Sequence, residues 1–259
     1  MADALDQPSN RRIAVLLAAG EGRRLHPHTV DRPKCLVEVG GRPLLARALA
    51  ALDGAGFDEL VVVTGYREDV LNEFLAGFAG RMRITCVRNP DYATTNNAYS
   101  LWSARVAVPG DFVLLDGDLL FEPQVLTSLL ASPGEVVLAV ERRTDLGDEE
   151  MKVLEGPDLA ITAVNKTMDP GQAIGESVGI ARFSQAAAAA LWAHLEAQIV
   201  AGKRNVFYEL AFEELIAAGW SFRIADITGL QAMEIDTPDD LAAAHLVAAS
   251  IDASPTLSA

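Results

Sequence analysis

The first 140 residues of the chain alternate between two hydrophobic patterns, and this alternation restricts the fold more than any other feature of the sequence. Continuous apolar runs rich in Val, Ile and Leu are typical of strands covered on both faces of a sheet. They occupy residues 13–17, 60–63, 84–87, 112–115 and 136–140. Segments with helical spacing lie between them, at residues 44–52, 70–78, 101–106 and 125–130. The alternation predicts an α/β fold with a Rossmann-like, doubly wound and mostly parallel sheet.

The pattern changes after about residue 141. Shorter apolar segments follow without helical spacing between them, at residues 151–154, 161–164 and 178–183, and they predict a small antiparallel extension of the sheet. Helices are expected at 184–201, 205–218 and 237–249, with one more strand at 222–227. No linker is long enough to separate two domains. We therefore expect one domain over residues 11–250, a flexible N-terminus at 1–10 and a frayed tail at 251–259.

The chain is strongly acidic, with 36 Asp and Glu residues against 21 Lys and Arg residues and a net charge of −15. This charge repels nucleic-acid backbones and anionic membranes, so we expect neither as a partner. The basic residues are nevertheless concentrated near the N-terminus, where residues 11–47 hold eight basic and three acidic side chains. The contrast indicates a local site for a polyanionic small molecule.

Cysteine usage and the N-terminal residues favour a cytoplasmic protein. Cys35 and Cys86 are too few for a disulfide framework and form no C-x-x-C pair, so reduced thiols are expected. The first ten residues are polar and acidic, unlike a secretory signal. No run approaches the roughly 18 apolar residues needed to cross a bilayer. Assembly into a homo-oligomer is left open.

The first predicted strand leads into a glycine-rich and basic segment that ends at Lys34. Gly20 and Gly22 allow backbone N–H groups to approach phosphates closely, because neither residue carries a Cβ. Arg24 and Lys34 add positive charge to the same segment. A dinucleotide-binding G-x-G-x-x-G turn matches poorly, since Leu25 replaces the third glycine, and no Walker G-K-[ST] follows. A turn with a purely structural role stays open.

Two pairs of carboxylates follow predicted extended segments. Asp116 and Asp118 come at the end of a buried strand, where α/β sheets bind their ligands. Glu234 and Asp236 precede the last helix, and alternating spacing places both members of each pair on one side of the chain. Hard oxygen ligands from two segments suit Mg²⁺. A tight turn and an N-cap of the last helix are the structural alternatives.

Residues 89–102 read NPDYATTNNAYSLW, an Asn-Pro turn followed by a predicted helix. Side-chain amides suit recognition of a base edge, because one amide group both donates and accepts hydrogen bonds. Asn89 and Asn97 are therefore candidates for binding the base of a nucleotide, and Thr94, which lies between them, is included with them. The structural alternative is that Asn96 or Asn97 caps the helix.

The glycine-rich segment resembles the signature of the nucleotidyltransferases that make nucleoside-diphosphate sugars and related activated alcohols. The matching residues are Leu17, Ala18, Ala19, Gly20, Gly22, Arg24, Leu25, Pro27, Thr29, Pro33, Lys34 and the string Gly41-Arg42-Pro43-Leu44-Leu45. The resemblance implies a Rossmann-like core with the phosphates of a nucleoside triphosphate on one loop. That nucleotide-binding loop consists of Leu17, Ala18, Ala19, Gly20, Glu21 and Gly22.

The same resemblance assigns roles to four charged residues. It implies that Arg24 and Lys34 are catalytic cations. Asp118 matches the aspartate of the family's G-D motif, and Asp236 matches the C-terminal aspartate that completes the metal site. These two aspartates are therefore expected to bind Mg²⁺, with Asp118 also counted as catalytic. Asp116 and Glu234, two positions before them, are second choices as metal ligands.

The string Asn-Asn-Ala-Tyr-Ser-Leu at residues 96–101 closely resembles the corresponding segment of CTP:phosphocholine cytidylyltransferases. The likeness continues through the D-x-D and E-I-D segments in the same order, so it implies CTP as the nucleotide. Lys166 falls where sugar-type relatives have a Glu-Lys-Pro motif whose lysine holds the acceptor phosphate, although both neighbouring residues depart from that motif. A solvated lysine after a strand is the structural alternative.

An acceptor with a quaternary ammonium would require aromatic faces and a carboxylate. Glu176, Tyr208 and Glu209 could supply them, and together with Lys166 they are the expected acceptor-binding residues. The structural alternative is that the aromatic residue belongs to the core.

The sequence thus predicts an Mg²⁺-dependent enzyme that transfers CMP from CTP to a small phosphorylated alcohol or phosphonate and releases pyrophosphate. One alternative is a sugar-1-phosphate or cyclitol-phosphate nucleotidyltransferase that uses another nucleoside triphosphate. A second, of a different class, is a catalytically silent nucleotide-sensing regulatory subunit. The presence of Arg24, Lys34, Asp118 and Asp236 argues against the silent subunit.

Overall fold

A nine-stranded mixed sheet forms the centre of the computed structural model, which describes residues 11–253. The strands in this range are β1 (Ile13–Ala18), β2 (Glu38–Val39), β3 (Arg42–Pro43), β4 (Glu59–Thr64), β5 (Arg83–Arg88), β6 (Phe112–Asp116), β7 (Leu119–Phe121), β8 (Val136–Glu141), β9 (Lys152–Glu155), β10 (Ala160–Asn165), β11 (Gly175–Phe183), β12 (Phe222–Asp226) and β13 (Ala232–Glu234). The helices are α1 (Leu44–Gly54), α2 (Glu68–Ala76), α3 (Asn97–Ala104), α4 (Gln124–Ala131), α5 (Gln185–Val200), α6 (Glu209–Ala217) and α7 (Pro238–Ala253).

The strand order in the large sheet is β5-β4-β1-β6-β11-β8-β12-β10-β9. The first four strands are parallel, and β1 lies between β4 and β6 with Val15 opposite Val61 and Leu114. The chain therefore passes to opposite sides of β1, which creates a topological switch point at the carboxyl ends of β1 and β6. The predicted Rossmann-like, mostly parallel architecture is confirmed.

One strand lies elsewhere than the sequence pattern predicts. Residues 178–183 were expected in the antiparallel extension, but β11 is inserted between β6 and β8 and runs antiparallel to both. Its pairing with β8 shifts register between Ser177 and Ala181, around Gly179 with a φ of +69°. A buried strand has the same apolar pattern in either direction, so the pattern could not fix its place. The extension itself consists of β9 and β10 at the far edge.

Helices cover both faces of the sheet because alternate residues of each buried strand point to opposite sides. From β1, Ile13, Val15 and Leu17 pack in a cluster with α3, α5 and α6. Ala14 and Leu16 pack in a second cluster with α1, α2 and α4. The apolar runs of the sequence are thus explained by burial on both faces.

A third apolar cluster joins distant parts of the chain beside the switch point. Leu25, from the basic segment, and Val37, just after it, pack with Ile235 and with Leu241 of α7. This packing brings the glycine-rich loop close to the E-I-D segment.

The C-terminal boundary differs from the prediction. Helix α7 continues to Ala253, so residues 251–253 are helical where a frayed tail was expected. Residues 1–10 and 254–259, which include the rest of that tail and the predicted flexible N-terminus, lie outside the described residues. Among the helices within residues 11–253, none is long and apolar enough to cross a membrane.

Candidate active site

The glycine-rich loop leaves β1 with its backbone open to the outside. A Cβ on Gly20 would meet no atom within 4 Å, and this residue lines a cavity at the carboxyl ends of the parallel strands. Gly22 has a φ of +61°, and a Cβ there would lie 3.2 Å from the Cβ of Lys34. The Thr29 hydroxyl donates to the Gly22 carbonyl at 2.8 Å and fixes the turn. The loop therefore permits the close approach of an anion that the sequence predicted.

Four of the predicted catalytic and metal-binding residues meet beside this loop. The Lys34 Nζ donates to Asp118 Oδ2 at 2.7 Å and also to Asp236 Oδ1. The Arg24 Nη2 donates to Asp236 Oδ2 at 2.6 Å. Two cations and two carboxylates from three segments of the chain thus form one cluster, which we call the charged cluster.

Two groups of the cluster, Lys34 and Asp236, are held in their ionised forms by their neighbours. Burial lowers the pKa of Lys34, but Asp118 and Asp236 outweigh it, so the pKa is raised and the ammonium stays charged. Burial opposes ionisation of Asp236 as well, yet Lys34 and Arg24 keep its pKa below the usual value. The Lys34 side chain is only 13% exposed, so these attractions are weakly screened. A fixed positive charge is therefore available beside the glycine-rich loop.

The neighbouring acidic residues, the second choices for a metal, are in a different state. Burial, with the charges of Asp118 and Asp236, raises the pKa of Glu234 to about 8. Burial also raises the pKa of Asp116 well above its usual value, and the Tyr208 hydroxyl donates to Asp116 Oδ2 at 2.7 Å. Burial thus disfavours the ionised form of both carboxyl groups.

The donor set of the charged cluster fits a magnesium ion. Asp118 Oδ1 is buried and accepts no hydrogen bond from any described residue, so one carboxylate oxygen is left for another partner. Within residues 11–253, no group of three or more His, Cys, Asp and Glu side chains is arranged to hold a metal. Two carboxylates, completed by phosphates and water, match the preference of Mg²⁺.

The charged cluster stands at the centre of a cleft made of two adjoining cavities of about 480 and 440 Å³. Residues that line both cavities include Leu17, Gly20, Arg24, Asn96, Asp118 and Asp236. The smaller cavity extends to Gly22 and Lys34. The larger one also includes a surface formed by Lys166, Glu176, Phe207 and Glu209, which we call the far end. Lys166 lies on its side towards Arg24, because both side chains contact Glu149 Oε2.

Of the predicted loop residues, Ala18 and Ala19 line one cavity each. Glu21 is not among the lining residues and accepts a hydrogen bond from Arg23 Nε. Of the three predicted base-binding residues, Asn97 alone lines the cleft, and its Oδ1 accepts from the backbone N–H of Tyr208 at 2.9 Å. Thr94 donates to the carbonyl of Asp91 instead.

Sequence reasoning missed several lining residues in the same segment. They are Tyr92, Thr95, Asn96 and Ser100. Asn96 was expected only as a helix cap, and its side chain does accept a hydrogen bond at the N-terminus of α3. The signal that could have found them is the position of this segment, because the N-terminus of a helix faces the strand ends.

Asn89 lies within the protein instead of on the cleft. It is 1% exposed, and its Nδ2 donates to Ser100 Oγ at 3.0 Å and to Thr95 Oγ1 at 3.2 Å. Its Oδ1 accepts from the N–H of Asp91 at 2.9 Å. This side chain therefore supports the loop that carries the lining residues.

We expect Asn89→Ala to lower the free energy of unfolding more than it alters the preference among nucleotides. The substitution leaves the buried partners of Asn89 without their hydrogen bonds, which costs about 1–3 kcal/mol. Denaturant unfolding and the KM for each nucleotide, measured on the same preparation, check this expectation. A variant with unchanged stability and altered nucleotide preference would restore Asn89 as a base-binding residue.

The far end of the cleft brings together three of the four predicted acceptor-binding residues. Lys166 Nζ lies 3.7 Å from Glu149 Oε2 and 5.3 Å from the centre of the Phe207 ring. Burial raises the pKa of Glu176 and of Glu209 to about 7 each. Tyr208, the fourth, is 2% exposed and does not line the cleft.

Comparison with known proteins places this architecture in a family. Residues 14–210 match the MobA-like NTP transferase domain, which covers most of the chain. The chain therefore belongs to the MobA-like NTP transferase family, and the resemblance to nucleotidyltransferases is confirmed.

Two curated relatives share sequence with the chain. CMP-5'-(3-aminopropyl)phosphonate synthase of Streptomyces rubellomurinus is 34% identical over 243 residues, which are 88% of this chain and 37% of the relative. The UTP–glucose-1-phosphate uridylyltransferase of Haloferax volcanii is 33% identical over 142 residues, 55% of this chain and 54% of the relative. The chain thus spans between about a third and a half of the lengths of these relatives.

Two solved structures share the fold. The inositol-1-phosphate CTP transferase from T. maritima superposes with a TM-score of 0.80 at 24% identity, covering 95% of this chain and 98% of the other. A CTP:phosphocholine cytidylyltransferase from Streptococcus pneumoniae gives a TM-score of 0.77 at 20% identity, covering 92% and 99% of the two chains. At these identities the likeness concerns the fold.

Proposed function

We propose that this protein is a cytidylyltransferase that transfers CMP from CTP to a small phosphorylated alcohol or phosphonate and releases pyrophosphate. The observation that carries the proposal is the charged cluster, in which Lys34 and Arg24 meet Asp118 and Asp236 beside an open glycine loop. The activities named for a phosphonate relative and for two CTP-using structural neighbours support the choice of nucleotide and acceptor.

The reaction joins two anions, so its main requirement is positive charge in a fixed place. An oxygen of the acceptor phosphate or phosphonate attacks the α-phosphorus of CTP and forms a new P–O bond. The bond from the α-phosphorus to the bridging oxygen breaks, and pyrophosphate leaves with its electrons. The second pKa of a phosphate monoester is about 6, so the attacking oxygen is already an anion at neutral pH and requires no strong base.

The residues of the cleft have different roles according to their positions. Gly20 and Gly22 offer backbone to the triphosphate, and Arg24, whose side chain is more than half exposed, can reach the phosphates. Lys34 is buried and held in one place, which suits a charge that stabilises the α-phosphate during transfer. Lys166 lies in the larger cavity and would hold the acceptor phosphate, which aligns the two reactants.

Asp118 and Asp236 would hold Mg²⁺, which supplies charge neutralisation for the triphosphate. Asp118 Oδ1, which has no partner among the described residues, supports this role. Lys34, which contacts both carboxylates, would supply further positive charge to the phosphates. A cytoplasmic location is consistent with the free thiols of Cys35 and Cys86.

A panel of nucleotides tests the proposal. We expect pyrophosphate release with CTP to exceed that with UTP, GTP and dTTP when phosphonates and phosphorylated alcohols are offered as acceptors. Bases that lack a matching hydrogen-bond pattern are discriminated against by about 1–3 kcal/mol for each group left unpaired. Preference for UTP with a hexose 1-phosphate would favour the sugar-type alternative. The uridylyltransferase relative has this combination of nucleotide and acceptor in its name. Binding of CTP without pyrophosphate release from any acceptor would indicate a regulatory subunit.

A further inference from the structure

The far end of the cleft holds a carboxyl group, that of Glu209, with one oxygen that has no partner among the described residues. Glu209 is the first residue of α6, is 9% exposed and lines the larger cavity. Its Oε2 is buried and accepts no hydrogen bond from any residue in the described part of the chain. Buried polar atoms in native proteins are nearly always partnered, so this oxygen points to a donor that the protein does not supply.

The side chains nearest to Glu209 do not provide that donor. The Tyr208 hydroxyl is close enough to the Glu209 carboxyl to lower its pKa, but its one proton is donated to Asp116 Oδ2, and Glu209 Oε2 has no partner among the described residues. The charge of Lys166 acts on Glu209, but its ammonium group lies against Glu149 and the Phe207 ring. The missing donor is therefore expected to come from a ligand in the cleft.

A second carboxylate faces the same cavity. Glu176, on β11, lines the far end, and its Oε2 accepts from Arg143 Nη1 at 3.2 Å. Burial raises the pKa of Glu176 and Glu209 to about 7, so a bound cation would favour the ionised form of both. Two carboxyl groups that line one cavity can thus bind a positively charged group.

The cavity lacks the aromatic surroundings that a quaternary ammonium requires. Among the described residues, its aromatic lining consists of Tyr92 and Phe207. Tyr92 packs edge-on against Tyr66, and Lys166 lies over the ring of Phe207. A cage needs several ring faces around the cation, so hydrogen-bonded carboxylates are the recognition chemistry available here.

We propose that the far end binds a primary ammonium group of the acceptor through Glu209 and Glu176. The assignment rests on the proposed CMP transfer and narrows its acceptor to small phosphates or phosphonates that carry an amino group. A primary ammonium has three N–H donors and can satisfy Glu209 Oε2, whereas a trimethylammonium has none. Lys166 lies on the side of the far end towards Arg24, since both contact Glu149, and there it holds the phosphate-bearing end of the same molecule.

The proposal is tested by calorimetry with three ligands that share a phosphonate group and differ at the other end of the molecule. These are 2-aminoethylphosphonate, its uncharged isostere propylphosphonate and its N-trimethyl derivative, each titrated into the full chain with a non-hydrolysable α,β-methylene analogue of CTP. We expect the amine to bind on the order of tenfold or more tightly than either of the others, since a charge-assisted hydrogen bond is lost in both.

Two isosteric variants locate the effect. Glu209→Gln should remove most of the preference for the amine while leaving the affinity for propylphosphonate unchanged, and Glu176→Gln should reduce the preference. The control is Glu214→Gln, on the same helix, because Glu214 bonds Gln198 and does not line the cleft. This control should keep the wild-type order of affinities.

The results separate the ammonium site from the proposed function. Equal affinities in the wild-type protein, tighter binding of the trimethyl derivative, or an intact preference in Glu209→Gln would overturn the ammonium site. The wild-type comparison requires no variant, so it holds even if Glu209→Gln fails to fold. Turnover with CTP is measured separately, and its absence with every acceptor would overturn the CMP transfer but not the order of binding.

Discussion

Replacing Lys34 by Ala should lower kcat by about 10²-fold or more while changing the Kd for CTP much less. The Lys34 ammonium is buried beside the glycine-rich loop and is held by Asp118 and Asp236. A charge fixed in this way stabilises the α-phosphate most as charge develops in the transition state, so its loss affects kcat more than ground-state binding. Lys34→Arg should restore little activity, because a planar guanidinium does not replace a compact ammonium.

Steady-state kinetics and calorimetry with CTP on the same variants measure the two effects. Arg24 still pairs with Asp236 when Lys34 is removed, so part of the charge balance of the cluster persists. The control is Lys203→Ala, an exposed lysine outside the cleft, which should behave as wild type. A Lys34→Ala variant with weakened CTP binding and an intact kcat would place Lys34 in ground-state binding and refute the catalytic assignment.

Asp118→Asn should reduce kcat by at least about 10²-fold with only a few degrees of change in Tm. The substitution keeps the shape of the side chain but removes the charge and one oxygen, and with them the ligand that we assign to Mg²⁺. Lys34 keeps its other carboxylate partner, Asp236, so the buried ammonium is not left unpaired. The fold should therefore tolerate the change.

Activity as a function of Mg²⁺ concentration, together with thermal unfolding, checks this second expectation. Asp53→Asn is a matched control, because Asp53 accepts hydrogen bonds from the backbone of Arg81 and Met82 and does not line the cleft. If Asp118→Asn instead unfolds at a much lower temperature but has normal activity per folded molecule, then Asp118 is a structural residue.

The sequence was sufficient for the features that depend on local pattern. The apolar run of β1, followed by Gly20 and Gly22, predicts both a buried strand and an open loop at its carboxyl end, and both are found there. That Asp118 and Asp236 share one site was implied by the family resemblance, because Asp236 follows β13, which pairs with β7 outside the large sheet. The loop and the position of Asp118, in contrast, follow from local pattern. Local spacing and strand-end geometry therefore explain why this part of the site was foreseeable.

Features that depend on long-range packing could not be predicted from the sequence. The insertion of β11 between β6 and β8 follows from three-dimensional pairing, which an apolar run does not encode. Asn89 and Asn96 are chemically alike, yet one is buried and the other lines the cleft. Tyr208 also looked like a ligand-binding aromatic, but the turn before α6 directs its hydroxyl to Asp116.

Transfer of CMP by the charged cluster to the phosphate or phosphonate of an acceptor is tested most directly by ³¹P NMR. The purified chain is incubated with CTP, Mg²⁺ and a set of phosphonate and phosphorylated-alcohol acceptors. We predict that the resonances of a new phosphoanhydride between CMP and the acceptor grow together with those of pyrophosphate, in equal amounts and only when an acceptor is present. Consumption of CTP without a phosphoanhydride product, or no consumption with any acceptor, would contradict the account.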